Sequence, residues 1–440
     1  MKSILQKTHI RYYHKQNPHK PSVRKLKPNS FITDIKNTQN TDEALSVFHD
    51  YCNTNTFKHD YPSYSSLIYK LGRNKNFNQV ETLLQQLQHY NVQCKEPLFI
   101  GLIQHYAKSG LVENAVDMFE RMPSFNCYRS LQSLNAILNA LIQNERFDEA
   151  NEMFKNCSKM GFRPNAVTFN IMIKGLLGEG KWGDARKVFD EMLEREVEPT
   201  VVTYNCQIGF WSKKGEFDEA KSLFDEMIRK GKKPNAITYA LLMEALCLQE
   251  KYREAKNLMF DMEYQGCKPR LVNYGVLMND LAKRGNFEEA KALLLEMKKR
   301  RIKPDVVMYN ILINYLCKEN RAGEAYKILV EMQVNGFEPN AASFRMIIDG
   351  FCRNGEFDEG LKVLNVMLTS KHCARLETFC CLVMGLVGNG KMDDAIFVME
   401  EMMKRRMCPD LESWEALVVR TTCGDNSDNS LVAELVSPRR

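Results

Sequence analysis

"AVTFNIMIKGLLGEGKWGDARKVFDEMLEREVEPT", residues 166–200, runs without a gap into "VVTYNCQIGFWSKKGEFDEAKSLFDEMIRKGKKPN", residues 201–235. In the first stretch Phe169, Met172, Ile173 and Leu176 fall at i, i+3, i+4 and i+7, the apolar stripe of an amphipathic helix. Gly178 and Gly180 are expected to stop that helix. Ala185, Val188, Phe189 and Met192 repeat the spacing on a second helix, and Asp184 suits the positive end of its dipole. Pro199 closes the stretch, because proline removes a backbone donor and disfavours helix in the residue before it. The small Ala185 lets the two helices approach closely. Each stretch therefore reads as a helical hairpin whose apolar stripes need a neighbour to cover them.

The same places recur far beyond these two stretches. Pro164, Pro199, Pro234, Pro269, Pro304 and Pro339 are spaced by 35 residues, and Pro409 lies two periods beyond the last. Met192, Met227, Met262, Met297, Met332, Met367 and Met402 form a second series, and Ala115 to Ala325 a third. Three independent series with one period imply stacked repeats rather than a single core. The expected fold is all-α, a right-handed superhelical solenoid of helix-turn-helix repeats. Ten repeats span 61–410 without insertion, after a degenerate one at 34–60 marked by Asp42, Glu43 and Ala44. A truncated repeat or capping helix is expected at 411–423 and a polar tail at 424–440.

At 440 residues the chain exceeds what one ordinary core supports, a limit that stacked repeats escape. An aliphatic and aromatic content of 44% suits a packed protein. A net charge of +6 permits a polyanionic partner without arguing for one, so any such argument rests on where the cations sit. The fourteen cysteines include no C-x-x-C pair, which argues against a zinc ribbon, and Cys247, Cys317 and Cys352 differ by multiples of the period. They read as a small repeat position in a reducing compartment. No apolar run is long enough to span a bilayer. The first 33 residues hold no acid but carry Lys2, Lys7, Arg11, Lys15, Lys20, Arg24, Lys25 and Lys27, which reads as an organelle transit peptide. A basic arm without targeting function is the other reading.

The register resembles the pentatricopeptide repeat family, in its purely 35-residue class. The likeness is carried by "VVTYN" at 201–205, "GEFDEA" at 215–220, "LFDEM" at 223–227 and "GKKPN" at 231–235, and by their echoes in 166–200 and 306–340. The resemblance implies single-stranded RNA binding at about one base per repeat, with the fifth and last residues of each repeat reading the base edge. Those places hold Asn135 with Asn165, Asn170 with Thr200, Asn205 with Asn235, and Asn310 with Asn340. An amide offers both a donor and an acceptor to a base, and the resemblance associates Asn at the fifth place with pyrimidines. Gly275 with Asp305 departs from that pattern. So do Ser65 with Lys95, Ile100 with Ser130, Ala240 with Arg270, Arg345 with Arg375, and Cys380 with Asp410. The implied target is three consecutive pyrimidines, two loosely specified bases and a further pyrimidine, in the family's parallel orientation. Helix capping explains an Asn at the last place equally well.

Arg73, Lys108, Lys213, Lys283, Lys318 and Arg353 share the thirteenth place, near the end of the first helix, where the resemblance implies phosphate contact. The helix dipole alone also favours cations there. Val167, Val202, Ile237, Val272 and Val307 share the second place, where the resemblance implies branched aliphatics flanking each base. Interhelix packing is the other account. Acids gather instead at the start of the second helices, Asp148, Glu149, Asp218, Glu219, Glu288, Glu289, Asp358 and Glu359 among them, and are expected on a solvated face.

Gly175 to Lys181 nearly spells a phosphate-binding loop, as does Gly385 to Lys391. Each is followed by Trp182 or Met392 instead of Ser or Thr, and each lies between two helices. No H-E-x-x-H or G-x-S-x-G occurs, and only about thirty residues follow the last full repeat. No catalysis, cofactor or metal is expected. The leading expectation is a monomeric organellar RNA-binding protein, mitochondrial rather than plastid, that acts in transcript processing, stability or translation with the ribosome or processing factors. A mitoribosome-associated structural protein that holds RNA without reading it, and a protein–protein scaffold, are the alternatives.

Overall fold

The computed structural model describes residues 30–38, 40–53, 60–405 and 407–408. The candidate leader up to residue 29 and everything from 409 on, including Asp410, lie outside the described residues. Regular structure among the described residues is helical: 22 α-helices and one short 3-10 turn, Met122–Phe125. Two compact parts divide after Val197.

The first helices of the ten repeats begin at Tyr61, Glu96, Leu131, Ala166, Val201, Ala236, Leu271, Val306, Ala341 and Leu376, the 35-residue period without a slip. Ahead of them, Ser30–Asn37 and Thr41–Cys52 form another helical pair. Phe31 is buried there, edge-on to Tyr51 at 5.1 Å. A leader ending at residue 33 would therefore cut into a packed helix.

Local chemistry explains the constant phase. Extended residues open the first helices, and several carry reciprocal caps: Asn235 Oδ1 accepts from the Thr238 N–H at 3.1 Å, while the Asn235 N–H donates to Thr238 Oγ1 at 3.1 Å. Leucine, isoleucine and aromatic residues then pack inward, and Ala150, Ala185, Ala220, Ala255, Ala290 and Ala325 of the second helices are buried against them. Stops come from residues in the left-handed region. The helix Ala166–Gly178 runs through Gly178, contrary to expectation, and breaks at Gly180 with φ 78°. Gly178 adopts helix; only Gly180 takes the conformation that a side chain disfavours.

Each part has its own core. In the first, one apolar cluster extends from Phe31 to Met192. In the second, another extends from Met243 to Met402. Repeats also dock through backbone-scale contacts. A Cβ on Gly350 would stand 2.8 Å from Cys317 Sγ, and one on Gly385 would stand 2.0 Å from the Phe357 ring. Cys317 and Cys352 are buried, so their shared place is a packing position; Cys247, at the same place, is half-buried.

Candidate nucleic-acid interface

The second, fifth, ninth and thirteenth places of a first helix fall within one narrow stripe, because successive steps of three or four residues nearly complete a turn. Val167, Val202, Ile237, Val272 and Val307, at the second place, are 54, 57, 53, 41 and 58% exposed. Interhelix packing does not explain apolar side chains left this open. The fifth-place residues Asn135, Asn170, Asn205, Gly275 and Asn310 are half-buried.

The six thirteenth-place cations are all exposed. Among the described residues, none of them forms an ion pair. The cations that do pair belong to other places: Lys187 with Asp184, Lys221 with Asp225, Arg321 with Glu324. Dipole compensation accounts for cations near a helix end, and Arg353 Nε donates to the Asp349 carbonyl there at 3.3 Å; their exposure also leaves them open to an anion from outside. The acids of the second helices are less idle than a merely solvated face. Arg146 bridges Glu113 of the repeat before it at 2.9 Å, and Lys391 reaches Asp358 in the same way at 2.5 Å.

Repeat 271–305 shows these places brought together. A groove of about 460 Å³ is lined by Val272, Gly275, Lys283 and Asp305, with Val307 of the next repeat on its far side. Gly275 contributes no side chain, and a Cβ there would meet the Met308 methyl at 3.2 Å. Asp305 Oδ1 accepts from the Met308 N–H at 3.1 Å, so part of this carboxylate is occupied by capping.

At two of the four Asn-led repeats the pair is joined by a residue that sequence reasoning missed. The Thr238 hydroxyl donates to Asn205 Oδ1 at 2.8 Å and lies 3.2 Å from Asn235 Oδ1. Ser343 joins Asn310, at 2.7 Å, to Asn340, at 3.1 Å. The third residue of the following repeat thus ties together the fifth and last residues of the repeat before it. The oxygens of Asn205 and Asn310 thus each accept one hydrogen bond from within the protein. Each oxygen keeps a second lone pair beside the Nδ2 donor, so the amide is oriented by the hydroxyl without losing either function. The signal was present as the Ser or Thr of a capping box, which sequence reading assigns to the backbone alone.

Elsewhere the linkage varies. The Thr168 hydroxyl turns to Asn165 Oδ1 at 3.3 Å, and Asn135 Oδ1 is buried without a partner. Ser130 donates instead to Glu96 Oε1 at 2.7 Å. Burial alone would raise the Glu96 pKa, but hydrogen bonds from Ser130 and Ser133 outweigh it and hold the carboxyl below the usual glutamate range. Asn170 belongs to the first part and Thr200 to the second. Asn165, Thr200, Asn235 and Asn340 all cap helices, as the capping account of the last place has it, and each of these residues is at least partly exposed.

Helical hairpins repeating in one phase, with open apolar residues, polar pairs and cations recurring on one stripe in several of them, define a helical-repeat protein. Sequence profiles make the class specific. The "PPR repeat family" matches residues 129–178, 164–209, 199–248 and 304–353; the "Pentatricopeptide repeat domain" matches 280–320; and the "PPR repeat" matches 99–127, 237–267, 342–372 and 377–407. These cover well over half of the chain, which belongs to the pentatricopeptide repeat family. A mitochondrial pentatricopeptide repeat-containing protein of Arabidopsis thaliana is 52% identical over 170 residues, 36% of this chain and 37% of that protein. The small ribosomal subunit protein mS78 of the same plant is 30% identical over 142 residues, 32% of this chain and 36% of mS78. The matches thus take in little more than a third of either relative's length. The crystal structure of the maize pentatricopeptide repeat protein PPR10 aligns over 86% of this chain and 63% of that one, at 22% identity and a TM-score of 0.42, too loose a likeness to carry an argument.

Proposed function

We propose that this chain binds single-stranded RNA along the first-helix stripe, one base per repeat, and acts in the processing, stability or translation of a mitochondrial transcript without catalysis of its own. The observation that carries this reading is the groove of repeat 271–305, where an open valine, the fifth and last residues and an unpaired lysine line one space. A base fits between the valines of adjacent repeats, while the cation meets the backbone phosphate. Asn135, Asn170, Asn205 and Asn310 confer the preference for pyrimidines. At Asn205 and Asn310 the amide is held in place from behind. The protein acts as a monomer and covers roughly 8–10 nucleotides, at one base per repeat.

The test is binding of the purified chain to pyrimidine-rich and purine-rich RNA oligomers across a salt series. Preference for the pyrimidine oligomer together with salt sensitivity supports the reading; absence of binding refutes it.

A second reading is favoured by specific residues. Ala240 is buried, Gly275 has no side chain, and Arg270 and Arg375 stand at last places where they offer charge rather than a complementary edge. A protein that holds ribosomal RNA by its backbone needs no more, and one relative is named as a small ribosomal subunit protein. Salt-sensitive binding without base preference, with sedimentation alongside ribosomal subunits, would select this reading. Mitochondrial location is proposed from the basic leader and the relative's name; fractionation of cells expressing the tagged chain tests it against the plastid.

A further inference from the structure

The first full repeat has no Asn-led pair. Ser65 and Lys95 hold the fifth and last places, so by the account above it reads no base. Yet the groove beside it is about 820 Å³, larger than the 460 Å³ groove of repeat 271–305, and one of its walls is the ring of Tyr69. Tyr69 occupies the ninth place, on the stripe between Ser65 and Arg73. The other nine repeats carry Gln104, Asn139, Lys174, Gly209, Glu244, Asn279, Asn314, Asp349 and Met384 there, none of them aromatic.

Tyr69 is 52% exposed and is the one exposed aromatic residue in a first helix of these repeats among the described residues. It is nevertheless held firmly. A Cβ on Gly101 would stand 2.9 Å from the ring, so the tyrosine lies directly on the backbone of the next first helix. The His105 ring meets it edge-on, with centroids 5.3 Å apart and planes at 74°. A Cβ on Gly72 would lie 3.3 Å from the His105 ring, which packs in turn against that helix. Burial, reinforced by the charges of Lys108 and Arg73, lowers the His105 pKa and favours the neutral ring. A ring that only filled the Gly101 notch would be covered. This one is supported from behind and open in front, with Arg73 one turn on and Lys95 across the groove.

We infer that Tyr69 is a stacking platform for an unpaired purine nucleotide, with Arg73 and Lys108 taking the adjoining phosphates. The inference deepens the RNA reading and rests on it. Aromatic stacking tolerates any base but gains with ring area, and the wide groove with a short serine at its reading place leaves room for the larger bases. Because Asn135 and Asn165 lie two repeats further on, the purine precedes the first pyrimidine by two nucleotides in the parallel orientation.

The experiment uses the full chain and an RNA oligomer with 2-aminopurine two nucleotides 5′ of a UUU run. The expected result is quenched 2-aminopurine fluorescence on binding, retained in Tyr69→Phe and lost in Tyr69→Leu, which keeps an apolar contact with Gly101. Affinity should fall about tenfold in Tyr69→Leu, within the range for one base stacked on one aromatic side chain. Tyr90→Ala, in a second-helix cap outside the groove, should change neither readout. Replacing the 2-aminopurine by uridine should weaken binding of the wild-type chain and leave Tyr69→Leu unaffected. Tight binding with quenching that is absent, or unchanged in Tyr69→Leu, overturns the platform alone. Equal wild-type affinity for the uridine oligomer overturns the purine assignment. No binding by the wild-type chain overturns the RNA reading itself, and the platform with it.

Discussion

Asn205 shows how a candidate reading residue is built from parts of two repeats. Its side chain stands half-buried on the stripe, and the Thr238 hydroxyl fixes its oxygen at 2.8 Å. Removing the amide by Asn205→Ala should weaken a pyrimidine oligomer by about 1–3 kcal/mol, the scale of one good base contact, with little effect on a purine oligomer. Thr238→Val removes only the hydroxyl. It should narrow the pyrimidine-to-purine affinity ratio by about 1 kcal/mol, the net worth of one hydrogen bond, while leaving the salt dependence intact. Unchanged ratios in both variants would mean that this pair reads nothing. The places of Asn205, Lys213 and Val202 were legible from the period alone. The role of Thr238 was not, because a Thr at the third place looks like a cap until the preceding repeat is set against it. Nor does a valine reveal from its spacing that it is more than half exposed.

Glu96 gives the residue scale a pH dependence. Its carboxylate accepts from Ser130 Oγ and from the Ser130 and Ser133 N–H groups at 2.7, 3.1 and 3.2 Å, and its pKa in the folded chain is lowered. A lowered folded-state pKa contributes stability above the ordinary glutamate range, and that stability is lost as pH falls through the folded value. Thermal melts should therefore show Glu96→Gln less stable than the wild type at neutral pH, with the gap closing in acid. A gap that persists or widens in acid would contradict this account.

At the scale of elements, docking of one hairpin on the next depends on small residues where backbones meet. Gly385 has the Phe357 ring 2.0 Å from where a Cβ would stand, so Gly385→Ala should destabilise the second part by roughly 1–3 kcal/mol through overpacking. Because each repeat touches mainly its neighbours, the loss should stay local. Hydrogen exchange should quicken in the helices Leu376–Gly388 and Phe357–Thr369, while Val201–Lys214 keeps its protection. Uniform acceleration across the second part would show a more cooperative array than stacked repeats allow. The helices themselves were almost wholly legible: every first helix from Tyr61 on starts on the predicted phase. What spacing does not disclose is which glycine ends a helix. Gly178 and Gly180 look equivalent in the sequence, and only Gly180 takes the left-handed conformation.

For the whole molecule, net charge is a poor guide to function. A surplus of +6 over 440 residues creates only a weak overall field, and many cations are spent on ion pairs among the second helices. What remains is placement, with the thirteenth-place cations free of such pairs among the described residues. Lys213, Lys283 and Lys318 lie in the same compact part, so they test the central claim together. The most direct measurement is the dependence of RNA affinity on salt for the wild type and for the Lys213→Ala, Lys283→Ala, Lys318→Ala triple variant. If these lysines meet phosphates, the slope of log affinity against log salt should shrink by roughly 2, at about 0.7 per phosphate contact on a single strand. An identical slope in the two proteins would contradict the account.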